Sequence, residues 1–190
     1  FGFYSYNGTS ELYNSAFGSG ALGDNTTGAF NTAIGATALN YNTKGSNNIA
    51  VGSAALFNKK EGNYNIATGN NALHNNTDGS NNIAMGTNAL YANTTGIQNV
   101  AIGANSISVN TTGNYNVATG TEALQSNTGS WNVANGHQAL KANTTGNSNI
   151  AIGANSLGSN VGGSNNVAMG SSALQANKTG IQNIAIGEIA

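Results

Sequence analysis

One phrase recurs along this chain: glycine, two variable residues, Asn-x-Ala-x-Gly, two more, Ala-Leu, and then Asn-Thr-Thr. Its opening glycine falls at Gly28, Gly45, Gly62, Gly79, Gly96, Gly113, Gly129, Gly146, Gly163 and Gly180. The step is 17 residues, except for 16 between Gly113 and Gly129. A short fixed period over nearly a whole chain marks a solenoid, in which each repeat is one unit stacked on the last. That overrides the one or two globular domains that 190 residues would otherwise suggest. A stacked array is more often a shaft or a binding surface than an enzyme with a single pocket.

The coil from Gly79 to Thr95 sets the numbering of positions within a repeat. Position four is Asn82, matched by Asn31, Asn48, Asn65, Asn99, Asn116, Asn132, Asn149, Asn166 and Asn183. Position five is Ile or Val in every coil except at Thr32, position six is always Ala, and position eight is always Gly, from Gly35 to Gly187. Position seven varies, with Ile34, Val51, Thr68, Met85 and Asn135 among its occupants. Position twelve is Leu in the complete coils, except at Ile107.

The Asn-Ile-Ala-x-Gly segment has strand chemistry, with β-branched residues at position five and often at seven. Alternation places five and seven on one face and four, six and eight on the other. The aliphatic run at position five predicts a coil interior of Ile49, Ile66, Ile83, Val100, Val117, Val133, Ile150, Val167 and Ile184. Leu39, Leu56, Leu73, Leu90, Leu124, Leu140, Leu157 and Leu174 would close that interior from a second short strand around Ala-Leu. Helix is the competing reading of Ala-Leu-x-x-Asn, but recurrent glycine disfavours it by roughly 1 kcal/mol each. Asn-Thr-Thr-Gly reads as a turn, because asparagine and glycine tolerate a left-handed backbone. The position-four asparagines either stack amide on amide along the axis or only cap local turns.

The expected fold is therefore all-β: a parallel β-solenoid of 17-residue coils, about ten of them over residues 14–190. At the usual strand spacing it would be a rod on the order of 50 Å long. Residues 1–13, rich in aromatics, fall outside the repeat and either cap the core or belong to a preceding domain. The chain stops at Ala190, where another Ala-Leu would be due, so a piece of something longer is expected. A 17-residue cross-section encloses little apolar volume and is marginal alone. Small alanine at position six, opposite the expected core, suggests close approach by another backbone. Several chains lying side by side, most simply three, would satisfy both points.

Asn-Thr-Ala-Ile-Gly at 31–35, Asn-Val-Ala-Ile-Gly at 99–103 and Asn-Ile-Ala-Ile-Gly at 149–153 and 183–187 resemble the head repeats of trimeric autotransporter adhesins, the YadA-like family. The longer phrase at 99–113 is also similar to repeats in bacteriophage tail fibres. The resemblance implies a left-handed parallel β-roll, a homotrimer, an extracellular place on a virion fibre or a bacterial surface, and attachment to a host surface. The family's coils are often shorter; here the Ala-Leu-x-x-Asn-Thr-Thr segment lengthens each turn.

Other functions have little support. Charged residues make up 6% of the chain and the net charge is −1, so no basic stripe is available for nucleic acid. No apolar run approaches the roughly 20 residues of a membrane span. Cysteine is absent. The acids Glu11, Asp24, Glu61, Asp78, Glu122 and Glu188 scatter over different columns, and His74 and His137 lie about four coils apart. No catalytic cluster, metal site or cofactor is expected from them. Calcium-binding repeats place aspartate regularly, and these do not. The threonine pairs are too interrupted, by Lys44, Lys59, Lys60, Asp78 and Val161, for a regular ice-binding row.

Aromatic columns are the better lead. Phe57, His74 and Tyr91 share position thirteen on successive coils, with Tyr41 one place off. Phe30, Tyr64, Tyr115 and Trp131 share position three. Such rings beside Asn and Gln suit a surface receptor or glycan, or else they pack on each other or on a neighbouring chain. The leading expectation is a non-enzymatic fibrous attachment protein. The alternatives are a carbohydrate-binding module and a subunit of an extracellular filament.

Overall fold

The computed structural model describes residues 13–190. It consists of eleven three-residue strands, from β1 (Ser15–Phe17) to β11 (Ile184–Ile186), in one parallel sheet whose spatial order is the sequence order. Each strand pairs in register with the next coil, Ala on Ala, as in Ala84↔Ala101 between β5 (Ile83–Met85) and β6 (Val100–Ile102). Among the described residues there is no helix, and the Ala-Leu segment forms turns rather than the expected second strand. The chain is an all-β solenoid with 17-residue coils. Except for Tyr13, the predicted lead-in at 1–13 lies outside the described residues.

Axial hydrogen bonding continues through the turns. The amide of Leu39 donates to the carbonyl of Ala55 on the next coil, and Asn88 donates back to Asn70 on the previous one. These reversals need left-handed backbone at positions three, ten and twelve, for example Asn81 (φ 59°), Asn88 (φ 55°) and Leu90 (φ 51°). A leucine held there costs roughly 1–2 kcal/mol. It persists because that conformation turns the side chain inward and its amide toward the next coil.

The interior corrects one expectation. Ile49, Ile66, Ile83, Val100, Val117, Val133, Ile150, Val167 and Ile184 do not form the core; they stand on the outer face of the sheet, with Ile49 41% and Ile150 38% exposed. The buried strand position is the alanine, from Ala33 to Ala168. It faces a second alanine at position eleven and the leucines Leu39, Leu56, Leu73, Leu90, Leu124, Leu140 and Leu157, all fully buried; Leu174, near the last coil, is partly buried. The reason is cross-section. The coil closes so tightly that only a methyl fits between the strand and the leucine turn. The small position-six residue thus marks close approach within one chain, not between chains.

Position eight shows the same tightness. Gly86 has φ +135°, and a Cβ there would sit 2.7 Å from the carbonyl carbon of Gly103 on the coil above. No side chain fits such a contact, and only glycine adopts that backbone cheaply.

Candidate functional site: asparagine ladders, aromatic stacks and an apolar strand face

Two asparagine columns run inside the coil. At position four, the side-chain oxygen of Asn31 accepts from the backbone amide of Asn48 (2.9 Å) and from its Nδ2 (3.2 Å), and Asn48 Nδ2 also donates to the Gly62 carbonyl. The pattern repeats through Asn65, Asn82, Asn99, Asn116, Asn132, Asn149, Asn166 and Asn183. This is the axial ladder rather than local capping. Each amide replaces a water partner that the buried coil excludes, where an unmet polar group would cost about 1–3 kcal/mol.

The second column, at position fifteen, escaped sequence reading because Asn-Thr-Thr looked like turn chemistry alone. Asn42, Asn93, Asn110, Asn143, Asn160 and Asn177 each donate Nδ2 to the oxygen of the asparagine one coil earlier, at 2.7–3.1 Å. Most also hold the carbonyl of the glycine that opens the next coil, as Asn93 holds Gly96 at 3.0 Å. The legible signal was the constancy of this asparagine while the residues around it vary. Asn93 and Asn110, each followed by Thr-Thr, are themselves buried although Thr95 and Thr112 are exposed.

The column fails in two places. Position fifteen is Lys59 in one coil, fully buried, with Nζ donating to the carbonyls of Gly79 (2.8 Å) and Thr77 (3.2 Å). Desolvation lowers its pKa from 10.5 to about 7, and the charge of Asp78 opposes that shift. The oxygen of Asn42 below it is left buried without a partner. The other failure is at the 16-residue coil, where Asn127 donates only to Gly129 and leaves the Asn110 oxygen unmet.

On the surface the aromatic residues stack. Tyr41, Phe57, His74 and Tyr91 form one continuous column with centroids 4.9–5.1 Å apart, so Tyr41 joins despite its offset in sequence. His74 Nδ1 lies 2.9 Å from Asn75 Oδ1. At position three, Tyr115 and Trp131 stack at 4.0 Å and Phe30 stacks on Tyr13. Tyr64 stands without an aromatic neighbour in its column, because Asn47 and Asn81 flank it. The candidate contact residues Phe57, His74 and Tyr91 on one side and Tyr64, Tyr115 and Trp131 on the other therefore divide between two separate columns.

The third surface feature is the outer strand face, with Ile34, Ile49, Ile66, Met85, Ile102, Val117, Ile150, Ile152 and Met169 at 36–44% exposure. It is a largely apolar strip two side chains wide, positions five and seven, and about 50 Å tall.

The charged groups pair locally. Lys44 bonds Glu61 at 2.8 Å, which raises the lysine pKa and lowers that of the carboxyl. Lys141 bonds Glu122 at 2.8 Å, and this contact, with a hydrogen bond from Gln138, lowers the Glu122 pKa. Among the described residues no three of His, Cys, Asp and Glu come together. No helix among them is long and apolar enough to cross a membrane. No protein-family model, no curated protein and no solved structure matches this chain.

Proposed function

We propose that this chain is a stretch of an extracellular attachment fibre in which three copies lie side by side, as in the YadA-like heads and tail-fibre repeats its sequence resembles. The observation carrying this reading is the apolar outer strand face. Monomeric proteins rarely leave a continuous apolar strip of several hundred Å² in water. Here it runs along position five from Ile49 to Ile184, and at position seven it is broken only by Thr68, Thr119 and Asn135. Three such strips facing a common axis cover one another with closed symmetry, which ends the assembly at a discrete particle. A rod built this way holds a tip away from a body and repeats each weak lateral contact along its length and across its chains, so that avidity exceeds single-site affinity.

The test is the mass in solution by sedimentation or native mass spectrometry. Three chains are expected. Ile83→Asp combined with Val100→Asp places charge on the strip without touching the alanine interior. That variant should sediment as single chains with an unchanged β-rich circular dichroism spectrum. A parent protein that stays a single chain at high micromolar concentration would overturn the trimer, and long fibres of the parent would favour the filament reading instead.

The stacked aromatic rings favour a second reading, in which the same rod also recognises a ligand along its side.

A further inference from the structure

The aromatic column does not run the length of the rod. Position thirteen carries Phe57, His74 and Tyr91 on three coils and then Ser108, so the stack stops with no further ring on the far side of Tyr91. A groove of about 420 Å³ opens there, lined by Tyr91, Ala92, Ser108 and Val109 on one side and by Asn88 and Asn105 among the position-ten amides on the other. Its volume falls in the range of small-ligand sites.

The polar wall ends one coil beyond the ring stack. Asn71 Nδ2 reaches Asn88 Oδ1 at 3.4 Å and Asn88 Nδ2 reaches Asn105 Oδ1 at 3.2 Å. On the next coil the position is Glu122, already held by Lys141 and Gln138. The Asn105 Nδ2 group therefore donates to no protein group among the described residues. The last amide of the row, Asn105, thus stands on the same coil as Ser108, at the level where the ring stack is interrupted. A ring entering it would meet the Tyr91 face, an amide donor from Asn105 and the Ser108 hydroxyl.

We infer that this groove binds a neutral sugar ring of a glycan, seated on Tyr91 above Ser108 as the next member of the stack, with its hydroxyls on Asn105 and Asn88. A pyranose matches these surfaces because it has an apolar C–H face and an equatorial belt of hydroxyls, and asparagine amides both donate and accept. Neutrality follows from charge. No charged residue lines the groove, and Lys141, two coils on in the same column, is held by Glu122, so a carboxylate or phosphate in the groove would find no counterion. The inference extends the attachment reading by naming what the side of the rod would hold. It uses positions ten to fourteen and not the strand face, so binding and assembly are read separately.

The experiment titrates the full chain with neutral oligosaccharides of glucose, galactose and N-acetylglucosamine, with glucuronic acid as the acidic comparison, and follows the His74 and Tyr91 ring signals by NMR. A saturable shift with a neutral member and none with glucuronic acid is expected. Ser108→Tyr would fill the vacant level with the protein's own ring and should weaken binding at least tenfold. Ser108→Gln, which copies Gln125 on the next coil, serves the same purpose if the tyrosine disturbs folding. Tyr91→Ala should abolish binding, and Trp131→Ala, in the other column, should leave it intact. Three results would each overturn the inference: no shift with any neutral member, unchanged binding in both Ser108 variants, or loss with Trp131→Ala alone. Sedimentation of each variant shows whether assembly has changed independently.

Discussion

Lys59 is the residue at which the repeat is most plainly broken. Nine coils place a neutral amide at position fifteen; here an ammonium sits in the same dry column. With its pKa lowered to about 7 in the fold and 10.5 as the ordinary value, the folded lysine has lost its proton across a window where the unfolded one keeps it. The unfolded state then binds more protons, so stability should rise as pH climbs from about 7 toward 10.5 and be lowest below that window. Lys59→Asn removes the titrating group and restores a donor to the orphaned Asn42 oxygen, with an expected gain of about 1–3 kcal/mol. Urea unfolding at pH 6 and pH 9 checks both points: the parent should be more stable at the higher pH, and the variant should show a smaller difference. Equal pH responses would mean that Lys59 reaches water.

At the scale of one coil, the amides hold successive turns as much as the backbone does. Asn99 accepts from both the backbone amide and the side chain of Asn116, and it donates to Asn82 and to the Gly113 carbonyl. Asn99→Ala strands several of these groups at once, each costing about 1–3 kcal/mol. Thermal melting should show a loss well beyond that of an average surface change. The sequence made the period, the strand segment and the buried leucine legible, because each follows from spacing and residue type; it showed the position-four asparagine column but left axial ladder and local capping open. It misassigned the inner face of the strand. The signal was present: position seven shares a face with position five and carries Thr68, Thr119 and Asn135, which do not belong in a dry interior. Alternation gives the period of a strand but not its phase, and here the phase is set by a cross-section too narrow for β-branched residues. The left-handed leucine was not legible, because propensity argues against it and only the closed coil enforces it. The groove beside Tyr91 was also out of reach. Phe57, His74 and Tyr91 showed a column, but its end matters only once Ser108 and Asn105 are known to face the same gap.

The core of the described residues is made largely of alanine, leucine and asparagine, with the β-branched aliphatics of the strands turned outward. That distribution ties stability to association. If the outward strip is covered by other copies, dilution exposes it, and the melting temperature should rise with protein concentration, as mass action requires. Scanning calorimetry over a hundredfold concentration range reads this directly. The double aspartate variant Ile83→Asp, Val100→Asp should melt lower and without concentration dependence. A concentration-independent parent would place all of its stability within one chain.

The shortened coil at Gly113–Thr128 carries a separate consequence. Losing one residue inside a strand would flip every following side chain to the wrong face. Yet β7 (Val117–Thr119) and β8 (Val133–Asn135) still pair Ala118 with Ala134, and the only bond lost to the column is the one Asn110 would have accepted. The corner at Thr128 and Gly129 therefore absorbs a change in chain length while the sheet keeps its phase. A gene built by duplicating such units can gain or shed codons at that corner without resetting its frame of packing, and a peptide spliced in there would be displayed at a fixed height on the shaft.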